Sequence, residues 1–368
     1  MSVDLRPLAI PAFRRLFLGQ CAGVLGMAVT VVAVPVQLYA LTHSSLVVGL
    51  NGLASVLPVV VLGLYGGAVA DAVDRRRAYL MSSLTAWAMT LTLLALSVVG
   101  AGSPALILAA VAVQTGSFAF SASARGAMLP SLVPTGQVPA ANALSYLVSS
   151  AGQVVGPLLA GVALAAPHGF VIAYGTDALL FTAVLFAAWR LPPMPPGERA
   201  GRPGLRSVAE GLRFLRGRPV LLMSFAVDLA VMTLAMPEAL FPQAAVTRFH
   251  GGAGPLYAAI SFGAVLGGLF TGWLGAVRRQ GVALTAAVVV MALAIAAAGV
   301  MHQLWAAVAL LVLAGSADLV SAVYRQTILQ TAVPEQFRGR LQGVFTVVVN
   351  GGPRLGDLRA ERWPASPA

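Results

Sequence analysis

The feature that most constrains this chain is a series of apolar stretches, each about 20 residues or longer, that recurs from Leu16 to about Val349. A helix rises about 1.5 Å per residue and the hydrocarbon core of a bilayer is about 30 Å thick, so each stretch is long enough to cross a membrane. The chain is 58% hydrophobic and 10% charged, which is too apolar for a soluble domain. The sequence therefore predicts an all-α polytopic membrane protein embedded in a lipid bilayer.

The predicted spans are separated by turns and charged residues. They cover residues 14–40, 46–70, 78–100, 104–128, 139–165, 169–190, 220–246, 255–277, 281–301 and 304–332, and an eleventh begins near 338. Their scattered Gly and Pro residues are tolerated in membrane helices, where neighbouring helices satisfy the freed backbone groups. Strands of a barrel would be shorter and would alternate apolar with polar residues, so a barrel is excluded.

The arginines indicate the orientation of the chain. All 23 basic residues are Arg and the net charge is +11, a composition that also occurs in nucleic-acid-binding proteins. Most of the arginines, however, lie between alternate spans, near residues 14–15, 75–77, 199–218, 278–279 and 338–340. This asymmetry follows the positive-inside rule. It predicts a multi-pass protein of the plasma membrane with a cytoplasmic N-terminus and no nucleic-acid partner.

Several kinds of chemistry lack the residues that they need. Cys21 is the single cysteine, and the four histidines fall in predicted external turns without ligand spacing, so neither a metal site nor a cofactor is predicted. The chain has no Lys and hence no Walker A loop for ATP. An intramembrane enzyme would need a pattern such as HExxH, paired metal-binding aspartates or GxSxG, and the sequence has none. We therefore predict no catalytic residues.

The two halves of the chain are related at an offset of 200 residues. Segment 125–134 aligns with 325–334, sharing the Arg, one Leu and the Val-Pro pair, and Gly152 and Gly156 align with Gly352 and Gly356. Spans four and five therefore correspond to spans ten and eleven. Such internal repeats are typical of secondary transporters, whose substrate sites lie between the halves.

The repeat divides the chain into four parts. We predict an N-terminal six-helix bundle (1–190), a cytoplasmic linker (191–219) with an amphipathic helix near Ser207 to Arg216, an incomplete C-terminal bundle (220–360) and an aberrant tail (361–368). The polar tail stands where a twelfth span is expected, so about 11 of 12 spans are predicted. A truncated or frameshifted sequence is the simplest account, and a remnant that does not transport is the corresponding alternative function.

The segment GGAVADAVDRRR begins at Gly66, at the predicted junction of spans two and three. It resembles the signature loop of the major facilitator superfamily, in which a Gly, an Asp four residues on and a basic cluster clamp one half against the other. The matching positions, with their charged neighbours, are Gly67, Asp71, Asp74, Arg75, Arg76 and Arg77. Ala72 departs from the pattern, and so does Asp74, where Gly is common. An ordinary positive-inside loop is the alternative interpretation.

The resemblance implies the fold of that superfamily, with two pseudo-symmetric helical bundles that rock in alternating access, and a monomer. The matching junction of the second half, GGLFTGWLGAVRR from Gly267, keeps the Gly and Arg pattern but has lost the acid. Any charge-based contact there is therefore expected to be weaker or differently built.

Span five carries a second pattern, GQVVGPLLAG, with Gly152, Gly156, Pro157 and Gly161. It resembles the GxxxGPxxGG pattern of the superfamily's drug and proton antiporters, with Ala160 in place of one Gly. Glycines four residues apart allow another helix to approach closely, and Pro157 is expected to bend the span into a gate. A generic small-residue helix interface is the alternative interpretation.

The whole arrangement resembles the branch that contains siderophore exporters and macrolide efflux pumps, on Gly175 to Ala178, Met236 to Pro242 and Arg325 to Thr327. The resemblance implies a secondary active transporter that exports small amphipathic molecules by proton antiport. Its substrate is a drug or macrolide in the first interpretation and a siderophore in the alternative one.

Charged groups inside the spans are candidates for proton coupling, because burying them in a membrane costs free energy. The candidates are Asp228, Asp318, Asp177, Glu238, Arg125 and Arg325. Asp228 and Asp318 lie deepest and are the leading ones, whereas Asp177 and Glu238 lie nearer the predicted external ends, where a hydrated carboxylate is ordinary. Arg325 is two helical turns from Asp318, so the two can form either a functional or a static pair.

Overall fold

The computed structural model describes residues 3–100, 102–195, 205–218, 222, 223, 226 and 254–360. Eleven helices longer than ten residues are defined in these ranges: α1 Pro11–Thr42, α2 Ser45–Ala72, α3 Arg75–Val99, α4 Pro104–Leu132, α5 Val138–Ala165, α6 Gly169–Trp189, α7 Leu205–Arg216, α8 Gly254–Leu269, α9 Gln280–Val300, α10 Leu304–Ala332 and α11 Glu335–Ala360. Short 3₁₀ helices cover Arg6–Ala9, Thr135–Gln137 and Thr271–Ala276. The predicted all-α class is confirmed.

Local sequence explains where α3 begins and ends. The carboxylate of Asp74 accepts a hydrogen bond of 3.0 Å from the backbone N–H of Arg77, so α3 starts at Arg75, three residues before the predicted span. At the other end, Gly100 adopts a left-handed φ of 69°, which terminates the helix without the steric cost of a side chain.

Within the described residues, eight helices are long and apolar enough to cross a membrane: α1 to α6, α9 and α10. The predicted continuous span 255–277 is wrong, because α8 ends at Leu269 and the chain continues as the 3₁₀ helix Thr271–Ala276. The Thr271 hydroxyl donates a hydrogen bond of 2.9 Å to the Gly268 carbonyl, and this local bond competes with the backbone hydrogen bonds that would continue the helix. The two glycines just before the end of α8 also lower its helix propensity. Most of span seven lies outside the described residues, as does the tail 361–368, and the total of about 11 spans stays a prediction.

The two halves repeat one another in space. Helices α4 and α10 each have 29 residues, and their bounds differ by 200 positions. In the first half α4 packs along α2, and in the second half α10 packs along α8. Small residues allow both approaches, since Gly116 lies against Pro58 and Leu62, and Gly315 lies against the Ile260 backbone. The predicted pseudo-symmetric bundles are confirmed.

The halves meet through α2 with α11, α4 with α11, and α5 with both α8 and α10. The ends of α2, α4 and α10 lie together with the starts of α3, α5 and α11, and we call this the arginine-rich end. The predicted amphipathic helix of the linker is α7, which docks at the same end against α11 and α2. Its Leu215 is buried beside Leu329, Val333 and Leu341.

Candidate functional site

The crossing of α2 and α11 is built from glycines. A methyl group on Gly67 would collide with the carbonyl oxygen of Gly339, and a methyl group on Gly343 would lie 2.6 Å from the carbonyl oxygen of Gly63. Real Cβ atoms do not approach so closely, so the two backbones touch only because these positions lack side chains. The first half and the second half are therefore in main-chain contact near the arginine-rich end.

Asp71 lies at the end of α2 and reaches into the start of α11. Its carboxylate accepts hydrogen bonds of 2.7 Å from the N–H of Gly339 and 2.9 Å from the N–H of Arg340. The residue is only 3% exposed, and the guanidinium groups of Arg75 and Arg340 lie 4.0 and 3.8 Å from its oxygens. A buried carboxylate with two donors and two nearby cations forms a strong, charge-assisted contact between the halves.

Two further ion pairs extend this contact. Arg75 donates 2.9 Å to the carboxylate of Glu335 and 3.2 Å to its main-chain carbonyl. Arg340 donates 3.1 Å to Glu210 of α7, which ties the linker helix to α11. We call Asp71, Arg75, Glu210, Glu335 and Arg340 the clamp. Sequence reasoning missed both glutamates, although Glu335 stands in the first turn of α11, where an acid is favoured.

The other charged residues of the signature loop face their own half. Asp74 accepts hydrogen bonds from the N–H of Arg77 and, at 3.0 Å, from the N–H of Met194. Arg76 donates to the carbonyl of Trp189, and Arg77 is exposed. The structure thus brings Gly67, Asp71 and Arg75 to the second half but leaves Asp74, Arg76 and Arg77 on the first.

The second half has no matching acid at the repeat position. Thr271 stands 200 residues after Asp71, is 3% exposed and donates its hydroxyl hydrogen bond within its own segment, to Gly268. A methyl group on Gly275 would still lie 3.5 Å from the Gly136 carbonyl, so the chains also approach there. Among the residues that the structure describes, the charged clamp therefore forms at the first junction, and the weaker or differently built charge contact expected at the second junction stays a prediction.

The glycine pattern of α5 packs on α1. A methyl group on Gly152 would collide with Val24, and one on Gly156 would collide with Ala28, so the i, i+4 glycines meet an i, i+4 pair on the facing helix. Gly161 has open space around it, and Pro157 lies within the continuous helix α5. The close approach predicted for these glycines is confirmed for the first two, while the gating role stays a prediction.

Asp177 lies in the centre of the first bundle, not at a hydrated interface as predicted. It is 0% exposed, and its Oδ2 accepts hydrogen bonds from Thr30 at 2.6 Å, Thr90 at 3.3 Å and Gln114 at 3.3 Å. Helix α6 begins at Gly169, so Asp177 is two turns inside it and faces α1, α3 and α4. Three neutral donors from three helices converge on this carboxyl group.

Asp318 lies between the halves, half-buried, and accepts a hydrogen bond from the hydroxyl of Tyr146 on α5. Further along the same helix pair, the Asn142 amide donates 3.1 Å to Thr327 and 2.9 Å to Gln330. Gln330 in turn donates 3.0 Å to the Gly126 carbonyl of α4. A polar seam therefore joins α4, α5 and α10.

The basic candidates occupy repeat-related places on α4 and α10. Arg325 is buried and donates 3.1 Å to Ser321, and Arg125 lies close enough to the phenol of Tyr79 to interact with it electrostatically. Pairing of Arg325 with Asp318 stays a prediction. Asp228 and Glu238 lie outside the described residues, and the roles assigned to all of these groups in proton coupling are predictions.

Two pseudo-symmetric helical bundles that meet through a glycine crossing and a charged clamp define a multi-pass membrane transporter of the major facilitator superfamily. Residues 2–361 match the family described as transmembrane secretion effector, and the chain belongs to that family. This confirms the superfamily indicated by the signature loop. The chain is accordingly a transporter and not an enzyme.

Named relatives and solved structures agree with this assignment. The chain is 31% identical over 367 residues to the enterobactin exporter EntS of Citrobacter koseri, covering 97% of this chain and 88% of that relative. It is 30% identical, with the same coverage, to EntS of Shigella boydii serotype 4.

Among solved structures, a bacterial homologue of the iron transporter ferroportin in an outward-facing state gives a TM-score of 0.75 at 17% identity, covering 96% of this chain and 93% of that one. The Escherichia coli fucose:proton symporter FucP gives 0.74 at 13% identity, covering 96% and 92%. At these identities the likeness shows the fold.

Proposed function

We propose that this chain exports a small amphipathic molecule across the plasma membrane, and that a siderophore is the favoured substrate. The observation that carries the proposal is the 31% identity to an enterobactin exporter over 97% of the chain, which includes both bundles and the linker. The clamp and the glycine crossing are both assembled, which supports a working transporter. The transporter acts as a monomer.

Export proceeds by alternating access. The arginine-rich end faces the cytoplasm, in keeping with the positive-inside rule, and the clamp closes that end while the substrate leaves on the other side. Asp71, Arg75 and Arg340 must then part from their partners in the other half before the cytoplasmic end can open. Their several charge-assisted bonds set the free-energy difference between the two states.

Proton antiport drives the cycle. A carboxylate that is reached alternately from the two sides can release a proton to one side and bind another from the opposite side. Asp318 suits this role because it lies between the halves and is only half-buried. Its hydrogen-bond donor Tyr146 is on α5 of the first half, so the movement of one half against the other changes this contact. Asp177 is the second carrier candidate, since it is held by neutral donors within one bundle.

The test uses cells that make enterobactin but lack their own exporter. Enterobactin in the medium is measured for the intact chain, for Asp318→Asn and for the control Gly49→Ala, whose methyl group enters open space, with and without a protonophore. We expect export by the chain and by the control, sensitive to the protonophore and lost in Asp318→Asn. Export that ignores the protonophore would refute antiport, and equal enterobactin in cells with and without the chain would refute the siderophore assignment.

Drug or macrolide efflux is the second candidate. It is favoured by the packing of Gly152 and Gly156 on α1, because this is the close helix contact expected of the antiporter-like pattern. Efflux of a hydrophobic dye and of a macrolide from the same cells separates the two candidates. Efflux of both compounds without enterobactin export would replace the siderophore with a broader drug substrate.

A further inference from the structure

A groove of about 840 Å³ opens between α2 and α3, with α4 as its floor. Leu62, Val69 and Val73 line one wall, and the opposite wall is formed by α3 from Arg77 to Thr85. On α2 these lining positions lie on a different face from Gly63, Gly67 and Asp71, which contact α11. The groove is therefore separate from the contact between the halves.

The surroundings of the groove are apolar and exposed. Met81 in the lining is 61% exposed, and Leu84 and Val61, each next in sequence to a lining residue, are 42% and 53% exposed. In a chain that crosses a bilayer, such side chains face the acyl chains of lipids, because exposing a continuous apolar surface of this kind to water is energetically unfavourable. The lining is mostly hydrocarbon, with Phe120 at the floor, and the hydroxyl groups of Ser82, Thr85 and Ser117 are the polar part of it below the rim.

The mouth of the groove is basic. Arg77 lies at the rim, is exposed, and within the described residues its guanidinium has no hydrogen-bond or ion-pair partner. The neighbouring Asp74 also lines the mouth, but its carboxylate is engaged by the N–H groups of Arg77 and Met194. Residues 74–77 comprise one Asp and three Arg, so the local charge is positive. The clamp does not use Arg77, although the residue belongs to the signature loop.

We infer that this groove is a binding site for an anionic phospholipid, with the acyl chain between α2 and α3 and the phosphate at Arg77. An apolar slot that opens sideways toward lipid fits a hydrocarbon chain, and a guanidinium at the rim fits the phosphodiester that follows that chain. The rim lies at the arginine-rich end, where the basic residues of the chain gather, which adds long-range attraction for an anionic headgroup. The lipid rests on α2 and α3, on the side of α2 away from α11.

The test is lipid retention by the purified full chain, read by native mass spectrometry in detergent with phosphatidylglycerol or phosphatidylcholine added. Arg77→Gln removes the headgroup contact, and Thr85→Trp fills the groove at an exposed position that bonds only within its own helix, to Met81. Arg14→Gln is the matched control, because Arg14 is also exposed at the arginine-rich end but lies outside the groove.

We expect the chain and the control to retain phosphatidylglycerol in preference to phosphatidylcholine. Arg77→Gln should weaken phosphatidylglycerol binding about fivefold, since one arginine near an anionic headgroup contributes about that factor. Thr85→Trp should abolish retention, and a photoactivatable phosphatidylglycerol should crosslink near Met81. Equal retention of the two lipids, or unchanged retention in both groove variants, would overturn the assignment. These readouts do not depend on export, so the proposed transport function stands or fails separately.

Discussion

The carboxylate of Asp71 accepts a hydrogen bond of 2.7 Å from the backbone N–H of Gly339, so an acid of the first half is bound to the main chain of the second. The donor is a backbone N–H, so α11 needs no polar side chain to supply it. The closeness depends on glycine, since a methyl group on Gly339 would itself lie 2.6 Å from an oxygen of Asp71. The charge of Asp71 and the missing side chain of Gly339 therefore both contribute to the same contact between the halves.

Asp71→Asn is expected to loosen the arginine-rich end. The amide keeps one acceptor but loses the charge, and a hydrogen bond to a charged group is worth about 1.5–3 kcal/mol. That free energy corresponds to a roughly 10- to 150-fold shift toward the state in which the halves are apart. Spin labels at Val73 and Ala332, in a Cys21→Ala background, measure the distance between the halves by pulsed spectroscopy.

Asp74→Asn is the control for that experiment. Asp74 caps α3 and contacts only its own half, and Asn caps a helix about as well as Asp, so this substitution is expected to leave stability nearly unchanged and not to lengthen the distance between the labels. A longer distance in Asp74→Asn than in Asp71→Asn would contradict the assignment of the clamp.

Gly67→Ala is expected to separate α2 from α11 by steric contact alone. The added methyl group would fall on the carbonyl oxygen of Gly339, and overpacking of this kind typically costs about 1–3 kcal/mol. Gly49→Ala on the same helix meets open space, so it should leave the label distance unchanged. Transport should fall in Gly67→Ala and not in Gly49→Ala. An unaltered distance in Gly67→Ala would mean that α2 and α11 can accommodate the added methyl group without moving apart.

The linker helix is expected to stabilise the closed arginine-rich end. The rings of Phe214 on α7 and Phe337 on α11 stack with centroids 4.5 Å apart, next to the ion pair of Glu210 with Arg340. A double-mutant cycle of Phe214→Ala and Phe337→Ala, read by thermal unfolding in detergent, should give a coupling of about 0.5–1.5 kcal/mol. Strictly additive effects would show that the stack contributes nothing beyond its parts.

Much of the fold was predictable because membrane helices can be identified in a sequence by their length and apolar content. Helices α1 to α6 follow the predicted spans, with ends moved by local rules such as the Asp74 cap, which starts α3 three residues early. The 200-residue repeat also predicted that α4 and α10 occupy matching places. The break after Leu269 was missed because hydropathy does not register a side-chain bond such as that from Thr271 to Gly268.

The site was less predictable, because it depends on pairs of residues far apart in the chain. The signature loop pointed to Asp71 and Arg75, but nothing in the local sequence pairs Arg75 with Glu335, 260 residues away. Asp177 was misplaced because its depth was judged from the distance to a loop. Its burial follows instead from Thr30 and Gln114 on facing helices, whose direction one sequence does not specify.

Asp177→Ala is expected to destabilise the first bundle. Removing the carboxyl group leaves the Thr30 hydroxyl without its acceptor, and an unsatisfied buried group costs about 1–3 kcal/mol, whereas Thr90 still donates to the Ala86 carbonyl and Gln114 to the Thr90 hydroxyl. Asp177→Asn fills the same space and keeps an acceptor, so it should unfold at nearly the temperature of the intact chain. Thermal unfolding of both variants in one detergent gives the comparison, and equal loss of stability in the two would show that the charge itself is required.

The glycine pattern of α5 should separate into a position that tolerates substitution and one that does not. Gly156 lies against Ala28 of α1, so Gly156→Leu must push α5 away from α1, whereas Gly161→Leu places its side chain in open space. Both substitutions favour the helix equally in intrinsic propensity, which leaves packing as the difference between them. We expect Gly156→Leu to lower the unfolding temperature and to abolish export, while Gly161→Leu keeps both.

The contact of Gly156 with Ala28 can be checked by a compensating substitution. Ala28→Gly removes the methyl group opposite Gly156, so it should partly restore the stability and export of a chain that carries Gly156→Ala. If Gly161→Leu proved as damaging as Gly156→Leu, the pattern would act through something other than the contact of α5 with α1.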